Sequence, residues 1–161
     1  MGKDLASSIR GLMEKNRLNF CLECGKCSAV CPMVEFYGEY VPDRCTRNIV
    51  ERLSFDPEAL WDETLWYCWA CQECTFFCPS GVDFQNFMIG FRNLLISHGV
   101  REHAYFCAAC GSYLMPKRQA DVLKGNLNGA RELLEDCPTC KRQRFVNAFV
   151  HVSAKGRSYP L

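Results

Sequence analysis

The chain has 161 residues, a formal net charge of +1 and 48% hydrophobic residues. A near-neutral chain without a basic stripe is not expected to bind nucleic acid. No apolar run approaches the roughly 20 residues that cross a bilayer, so the chain is not expected to insert directly into a membrane. Thirteen cysteines, with no leader-like apolar segment before them, predict a cytoplasmic, metal-loaded protein rather than a disulfide scaffold.

The first predicted element is a helix over residues 4–17, because apolar residues recur there at the spacing of one helical face. These residues are Leu5, Ile9, Leu12 and Met13. The helix leads into a cysteine-rich loop with the pattern Cys21-x2-Cys24-x2-Cys27-x3-Cys31-Pro32. Gly25 suits the backbone bend that aims amide N–H groups at the ligands of such a loop.

The same cysteine spacing recurs at Cys68, Cys71, Cys74 and Cys78-Pro79. The run C-x2-C-x2-C-x3-C-P holds a 4Fe-4S cluster in bacterial-type iron-sulfur proteins, and in two-cluster proteins its fourth cysteine ligates the other cluster. We therefore expect two 4Fe-4S clusters, one held by Cys21, Cys24, Cys27 and Cys78 and the other by Cys68, Cys71, Cys74 and Cys31. Zinc prefers paired knuckles and disulfides need an oxidising compartment, so both fit this pattern less well.

The linker between the two loops is predicted to be helical. One helix should begin at residues 42–43, where Asp43 offers a cap, and its inner face contains Cys45, Ile49 and Leu53. A second helix should begin at 56–57, with Asp56 as its cap and Pro57 in its first turn, and its apolar residues are Leu60, Trp61 and Leu65. Cys45, the thirteenth cysteine, is expected to be a small buried side chain.

After the second loop, Asp83 is predicted to cap a helix that ends at Gly99. Its apolar face contains Phe84, Phe87, Met88, Phe91, Leu94 and Leu95. Gly90 inside this helix suits a close backbone approach. Aromatic residues near the loops are expected to exclude water from the clusters, or to be ordinary core residues: Phe20, Phe36, Trp66, Trp69, Phe76 and Phe77. Lys26, Arg44 and Arg47 are candidates for hydrogen bonds to the first cluster, and solvated surface charge is the default for each.

Two cysteine loops joined and flanked by helices favour an all-α iron-sulfur domain. Over residues 18–98 the chain resembles the C subunit of heterodisulfide reductase and its relatives. The shared features are Cys24-Gly-Lys-Cys27, Pro42-Asp-Arg44, Leu65-Trp66, Cys78-Pro-Ser-Gly-Val82 and Phe91-Arg92. The resemblance implies an α-helical ferredoxin domain with two 4Fe-4S clusters, held by the same eight cysteines. It also implies an electron relay between a flavin-containing A-type subunit and a catalytic B-type subunit.

The catalytic subunits of such complexes carry paired cysteines, whereas this sequence contains no Cys-Cys pair. The resemblance therefore implies that substrate chemistry takes place on another subunit, and no residue here is predicted to be catalytic. Two alternatives stand beside the relay subunit. One is a stand-alone ferredoxin-type carrier, and the other is a regulatory or nucleic-acid-binding protein in which the clusters are structural.

A second unit is predicted over residues 101–161, after a dicluster ferredoxin domain over 1–100. It contains two CxxC knuckles, Cys107-x2-Cys110 and Cys137-x2-Cys140, which are typical of a four-cysteine zinc ribbon or a rubredoxin-like iron site. Structural zinc is favoured, since Lys141 stands where glycine normally follows the second rubredoxin knuckle. A short helical segment is expected at 130–135 and a strand at 145–152. The predicted fold is mainly α: an α-helical ferredoxin domain carrying two 4Fe-4S clusters, followed by a small zinc-ribbon-like unit.

Overall fold

The computed structural model describes residues 2–38, 44–55, 63–127 and 131–155, most of which are helical. The helices are α1 (Gly2–Lys15), α2 (Lys26–Ala29), α3 (Met33–Phe36), α4 (Thr46–Phe55), α5 (Glu73–Phe76), α6 (Phe84–Ser97), α7 (Lys117–Asn126) and α8 (Pro138–Lys155). Short 3-10 turns span Leu18–Phe20, Glu63–Trp66 and Arg131–Leu134. The strands β1 (Ala104–Phe106) and β2 (Tyr113–Pro116) form a hairpin. The predicted mainly α fold class is confirmed.

Helices α1 and α6 pack against each other at the centre of the core. The predicted apolar face of α1 is confirmed, since Leu5, Ile9 and Met13 are buried. The buried residues of α6 are Phe84, Phe87, Met88, Phe91, Arg92 and Leu95. Asp83 caps α6 as predicted, because its carboxylate accepts a hydrogen bond of 3.1 Å from the amide of Asn86. The burial of each large apolar side chain contributes roughly 1.5–3 kcal/mol to the stability of the fold. Because α6 buries several of them, it is the central helix of the core.

Gly90 of α6 faces the Leu12 side chain of α1. A side chain at this position would place its Cβ 3.0 Å from the Cδ2 atom of Leu12, which is tighter than ordinary packing. The neighbour of this glycine is thus the end of a side chain and not the backbone segment predicted from the sequence.

The linker helix α4 carries the predicted buried stripe, since Cys45, Ile49 and Leu53 are all buried. Cys45 directly precedes the helix, and its carbonyl oxygen accepts a hydrogen bond of 3.1 Å from the amide of Ile49. Leu65, at the end of the second predicted linker helix, is buried in the 3-10 turn before the second cysteine loop. The remaining predictions for the linker lie outside the described residues, at 42–43, 56–57 and 60–61.

The hairpin packs on the helical core. Its strands pair antiparallel with Ala104 opposite Pro116, and the register shifts between Tyr105 and Phe106. Ala104 is buried in the same core as α1 and α6, and Phe106 and Tyr113 pack against that core. The sequence analysis does not predict this hairpin, because strands of 3 and 4 residues are too short to show an alternating pattern. The domain boundary after residue 100 stays a prediction.

The prediction of a strand over residues 145–152 is wrong, because this segment belongs to α8. Phe145 and Phe149 are one helical turn apart and their rings stack, with centroids separated by 6.4 Å, so the apolar spacing is helical rather than alternating. Pro138 begins the helix, a position that proline favours. The segment expected at 130–135 is the 3-10 turn Arg131–Leu134. Neither α8 nor any other helix within the described ranges has the length and apolarity needed to span a membrane.

Candidate iron-sulfur and metal sites

The two cysteine loops have the same backbone conformation. The second residue after the first cysteine is left-handed in both, with φ of 51° at Glu23 and 54° at Ala70. The residue after the second cysteine is also left-handed, with φ of 76° at Gly25 and 77° at Gln72. A single turn of helix follows in each case, α2 in the first loop and α5 in the second. The repeated cysteine spacing therefore produces a repeated local structure.

Left-handed residues in alternation with right-handed ones turn successive amide groups to one side of the loop, where they can face an anion. Two such amides already contact cysteine sulfurs. The Ala70 amide donates to the Cys68 Sγ atom at 3.3 Å, and the Val82 amide donates to the Cys78 Sγ atom at 3.4 Å. These contacts favour sulfur in its charged, metal-binding form.

The second motif lines a small cavity that is partly open to solvent. Its lining includes the first three cysteines of the second motif and the fourth cysteine of the first: Cys68, Cys71, Cys74 and Cys31. These are the four residues predicted to hold one of the clusters. Thr46 of α4 and Gln85 of α6 also line the cavity, so elements from both halves of the domain form its walls.

The chain after Cys78 is fixed beside the residues that precede Cys21. The amide of Asp83 donates a hydrogen bond of 3.0 Å to the carbonyl oxygen of Asn16. The guanidinium of Arg17 lies against Gly81, where a Cβ atom would come within 3.2 Å of its Nη1 atom. Cys21 and Cys78 pack against the same core. The segment that follows Cys78 therefore lies beside the turn that leads into the first cysteine loop.

Burial raises the pKa of several thiols in these loops. The pKa of Cys27 and that of Cys68 are raised, and the pKa of Cys74 reaches about 12. At Cys68 the charge of Arg92 opposes this rise, and at Cys74 a hydrogen bond with the Thr46 side chain opposes it. These thiols hold their protons at neutral pH until a metal replaces them, so cluster binding is coupled to proton release.

The aromatic residues expected to exclude water lie on different sides of the loops. Trp66 is buried, and Trp69 stacks on Phe36 with ring centroids 4.3 Å apart. Phe76, in contrast, is 81% exposed, and Phe77 and Phe20 are also exposed. The prediction of a general aromatic shield is therefore wrong for the outer side of the loops, where Cys24 and Cys71 are exposed as well.

Lys26 and Arg47, candidates for contact with the first cluster, are exposed, in agreement with the solvated position expected by default. The guanidinium of Arg44 lies over the Tyr67 ring, 4.4 Å from its centroid. Arg92, which the sequence marked only as part of the shared Phe91-Arg92, is 2% exposed and donates hydrogen bonds to the carbonyl oxygens of Leu65 and Cys68. The clue to the burial of Arg92 in the sequence is its position, one residue after Phe91 on the buried face of α6.

Cys45 is buried as predicted and has a polar neighbour. Its Sγ atom lies 2.8 Å from the hydroxyl oxygen of Ser28, the residue that follows Cys27. The thirteenth cysteine therefore lies next to the first cluster loop without being part of its motif.

The C-terminal cysteines form a compact set of sulfurs. The Sγ atoms of Cys107, Cys110, Cys137 and Cys140 all lie within 4.8 Å of one another. The Sγ atoms of Cys110 and Cys137 are 3.8 Å apart. Four thiolates bound at about 2.3 Å from a metal form a tetrahedron with edges of about 3.8 Å. The set therefore fits one tetrahedral metal ion.

Two different elements supply this set. Cys107 and Cys110 lie in the turn of the hairpin, whereas Cys137 directly precedes α8 and Cys140 lies in its first turn. The Cys137 amide donates to the Cys107 Sγ atom at 3.2 Å, and the Cys140 amide donates to the Cys137 Sγ atom at 3.3 Å. Gly111, with φ of 71°, allows the chain to return into β2.

Hydrogen bonds shift the pKa values of three of these thiols. The Ser112 hydroxyl lowers the pKa of Cys110 to about 6, and the Cys137 amide lowers the pKa of Cys107. The hydrogen bond with the Cys137 side chain raises the pKa of Cys140 to about 12. A metal ion binds thiolates, so its binding at this set is coupled to proton release.

Comparison with known proteins supports the interpretation of the helical half. Residues 17–82 match the family described as the 4Fe-4S dicluster domain. A protein of Archaeoglobus profundus that is described as similar to the C subunit of heterodisulfide reductase is 33% identical over 79 residues, which are 49% of this chain and 41% of that protein. The C subunit of the ferredoxin:CoB-CoM heterodisulfide reductase of Methanosarcina acetivorans is 31% identical over 91 residues, which are 55% of this chain and 35% of that protein.

A third relative is the C subunit of the H(2):CoB-CoM heterodisulfide,ferredoxin reductase of Methanothermobacter marburgensis. It is 30% identical over 100 residues, which are 61% of this chain and 50% of that protein. The chain thus covers half or less of the length of each of these three relatives. The four-cysteine set of the C-terminal unit lies beyond the residues that match the dicluster family. Over residues 17–82 the chain has the sequence of a 4Fe-4S dicluster domain, which fits an electron relay, and it resembles the C subunits of heterodisulfide reductases.

Proposed function

We propose that this protein is an electron-transfer subunit of a heterodisulfide reductase-like complex, in which it relays electrons between a flavin-containing subunit and a catalytic subunit. The observation that carries the proposal is the cavity where Cys31 of the first motif meets Cys68, Cys71 and Cys74 of the second. A zinc knuckle or an isolated cluster loop has no need for that exchange of cysteines, whereas a pair of linked clusters does.

The proposal assigns eight cysteines to two clusters. Cys21, Cys24, Cys27 and Cys78 hold one, and Cys68, Cys71, Cys74 and Cys31 hold the other. When bound, each 4Fe-4S cluster takes up and releases one electron at a time. The chain positions the thiolates, directs amide N–H groups toward sulfur and buries the inner side of the loops behind Trp66 and α6.

Exposed apolar side chains support a place within a larger complex. Beside the exposed ligand candidates Cys24 and Cys71, the side chains of Leu22, Phe76 and Phe77 face solvent. Such side chains around a redox centre are suited to burial against another protein, which brings donor and acceptor close together. We assign this outer side of the loops to contact with the flavin-containing A-type or the catalytic B-type subunit.

For the C-terminal set we propose structural zinc held by Cys107, Cys110, Cys137 and Cys140. The four thiolates close the coordination sphere and leave no position for a substrate, as in structural zinc sites. The small unit around them buries little apolar surface of its own, so the metal supplies much of its folding free energy. Rubredoxin-like iron is the alternative, and the metal analysis below distinguishes the two. Twelve of the thirteen cysteines are assigned to metal sites in this proposal, and metal-binding thiolates suit a reducing, cytoplasmic location.

The test is a metal analysis of the full chain after anaerobic purification. We expect about eight irons, about eight acid-labile sulfides and about one zinc per chain, as two 4Fe-4S clusters and one tetrahedral site require. Reductive titration followed by electron paramagnetic resonance should then give two magnetically coupled 4Fe-4S signals. A folded, colourless and iron-free protein, or clusters that never change oxidation state, would contradict the relay.

Membership of a complex is tested separately, with tagged protein from native extract. Elution at the size of a multi-subunit assembly, together with flavin absorbance, is the expected result. Elution of the cluster-loaded chain by itself would instead indicate a stand-alone ferredoxin-type carrier.

A further inference from the structure

Arg92 is a buried cation for which the described part of the chain supplies no anionic partner. The side chain is 2% exposed, on the face of α6 that otherwise carries large apolar residues. Within residues 2–38, 44–55, 63–127 and 131–155, no carboxylate forms an ion pair with it. Burial of an unpaired charge is expensive, so charged residues are almost never fully buried without a partner.

The contacts of Arg92 satisfy its hydrogen bonds in part, but they do not neutralise its charge. Its Nη2 atom donates to the carbonyl oxygens of Leu65 and Cys68, both of which are neutral groups. The guanidinium lies 5.6 Å from the centroid of the Trp66 ring. Its Nε atom is buried without a hydrogen-bond partner. Within the described residues, no carboxylate therefore supplies the compensating negative charge.

The nearest candidate for that charge is the second cysteine motif. Arg92 binds the carbonyl oxygen of Cys68, the first cysteine of the motif, and thereby fixes the start of this loop. Cys68 also lines the cavity, together with Cys31, Cys71 and Cys74. The buried positive charge of Arg92 thus contacts one of the four residues proposed to hold this cluster.

We propose that Arg92 is the buried counter-charge of the cluster held by Cys31, Cys68, Cys71 and Cys74, and that it raises the reduction potential of this cluster relative to the other. The inference rests on the proposed function, since it requires a cluster at this site. Reduction adds one electron to a centre that four thiolates already make anionic. A fixed cation stabilises the reduced form more than the oxidised form, and low dielectric increases the effect.

The buried charge of Arg92 predicts an asymmetry between two loops that are otherwise alike. Their backbones share the left-handed positions described above, so local geometry gives no reason for different potentials. Near the first loop, Arg17 is exposed and lies over the Phe20 ring, 5.5 Å from its centroid. A solvated cation has far less effect than a buried one, because water screens it. Arg92 therefore acts on one cluster only.

The experiment compares Arg92→Gln and Arg92→Lys in the anaerobically purified full chain, titrated with dithionite and followed by electron paramagnetic resonance. Arg92→Gln removes the charge and keeps a hydrogen-bond donor, so one of the two potentials should shift to a lower value and the other should not move. Arg92→Lys keeps the charge, so both potentials should stay close to those of the unchanged protein. Cys24→Ser alters the signal of the first-loop cluster and so identifies the two signals.

Arg118→Gln is the matched control. Arg118 lies in the same region, 4.3 Å from the centroid of the Tyr67 ring, but its charge is paired with Glu63 at 3.0 Å and it is partly exposed. Its replacement should leave both potentials unchanged. The control therefore separates the effect of a buried, uncompensated charge from the general effect of removing an arginine.

The inference would be overturned if both potentials were unchanged in Arg92→Gln, or if both clusters shifted equally. It would also be overturned if Arg92→Lys gave the same shift as Arg92→Gln. Loss of the second cluster in both variants would overturn it as well, because it would indicate structural support alone. Loss of the second cluster in Arg92→Gln with its retention in Arg92→Lys would support the requirement for charge. Failure of the proposed function is a separate outcome, since it would be seen as missing or redox-inactive clusters in the unchanged protein.

Discussion

At residue 72 the chain adopts a left-handed conformation that favours glycine, although the residue is glutamine. Gly25 occupies the equivalent position in the first loop with nearly the same φ, and a Cβ atom there would meet nothing within 4 Å. The cost of a side chain at these two positions is therefore conformational and not steric. A non-glycine residue in the left-handed region costs on the order of 1 kcal/mol or more.

The pair Gly25→Gln and Gln72→Gly tests this interpretation, because each variant gives one loop the residue of the other. We expect Gly25→Gln to lower the free energy of unfolding by about 1 kcal/mol and Gln72→Gly to raise it by a similar or smaller amount. Anaerobic denaturant unfolding of the cluster-loaded protein measures both. Equal destabilisation by the two substitutions would mean that the Gln72 side chain has a stabilising contact that outweighs the strain.

At the scale of elements, the proposed cross-ligation exchanges the fourth cysteine between the two loops. Helices α2 and α5 lie side by side, and the segment after Cys78 is fixed beside Asn16 and Arg17. Each loop is short, but the exchange joins residues that are far apart in the chain. Loading of the clusters should therefore stabilise the tertiary arrangement as well as each loop.

Cys78→Ala is expected to damage the cluster of the first loop, with a loss of up to about four of about eight irons. The electron paramagnetic resonance spectrum of the cluster that remains should resemble the spectrum of Cys24→Ala, a first-loop variant. It should not resemble the spectrum of Cys71→Ala, a second-loop variant. Cys45→Ala is the matched control, since Cys45 is buried near the first loop but lies outside both motifs. A Cys78→Ala protein that loses only the second-loop cluster would refute the cross-ligation.

At the scale of the whole molecule, the C-terminal unit shares a core with the helical domain and carries the separate four-cysteine set. Ala104 is buried against the helical core, and Tyr113 packs on the same surface. The long helix α8, in contrast, exposes its apolar stripe of Phe145, Val146, Phe149 and Val150 to solvent. The helical core therefore supports the hairpin, and the proposed metal would add a second support for the hairpin and for the start of α8.

Cys140→Ser should release the metal of the C-terminal site and leave the iron content at its original level. Because the hairpin also packs on the helical core, we expect trypsin to cut first within residues 117–155, which are rich in lysine and arginine. Metal analysis and mass spectrometry of the fragments measure this, and Cys45→Ala again serves as the control. Parallel loss of iron would show that the two units fold as one, against the predicted boundary after residue 100.

Much of this protein can be predicted from its sequence, and the reason is the locality of the signals. Thiolates that bind one metal centre must be close together, so the spacing of Cys21, Cys24 and Cys27 reveals the loop before any fold is known. The faces of α1, α4 and α6 follow from helical periodicity in the same way. The spacing of the four C-terminal cysteines likewise predicts the compact set of sulfurs that the structure contains.

The tertiary structure decided what local patterns do not encode. The strands of the hairpin are too short to carry a periodic signal. The segment after Cys140 is helical because α8 begins at Pro138, next to the four-cysteine set, and its apolar residues follow helical spacing. The burial of Arg92 is the clearest case, since an arginine on a helix is usually solvated. Only the packing of α6 against the Glu63–Trp66 turn and Tyr113 encloses this charge next to the second loop. The sequence thus determined which residues can bind metal, and long-range packing determined the electrostatic environment in which they do so.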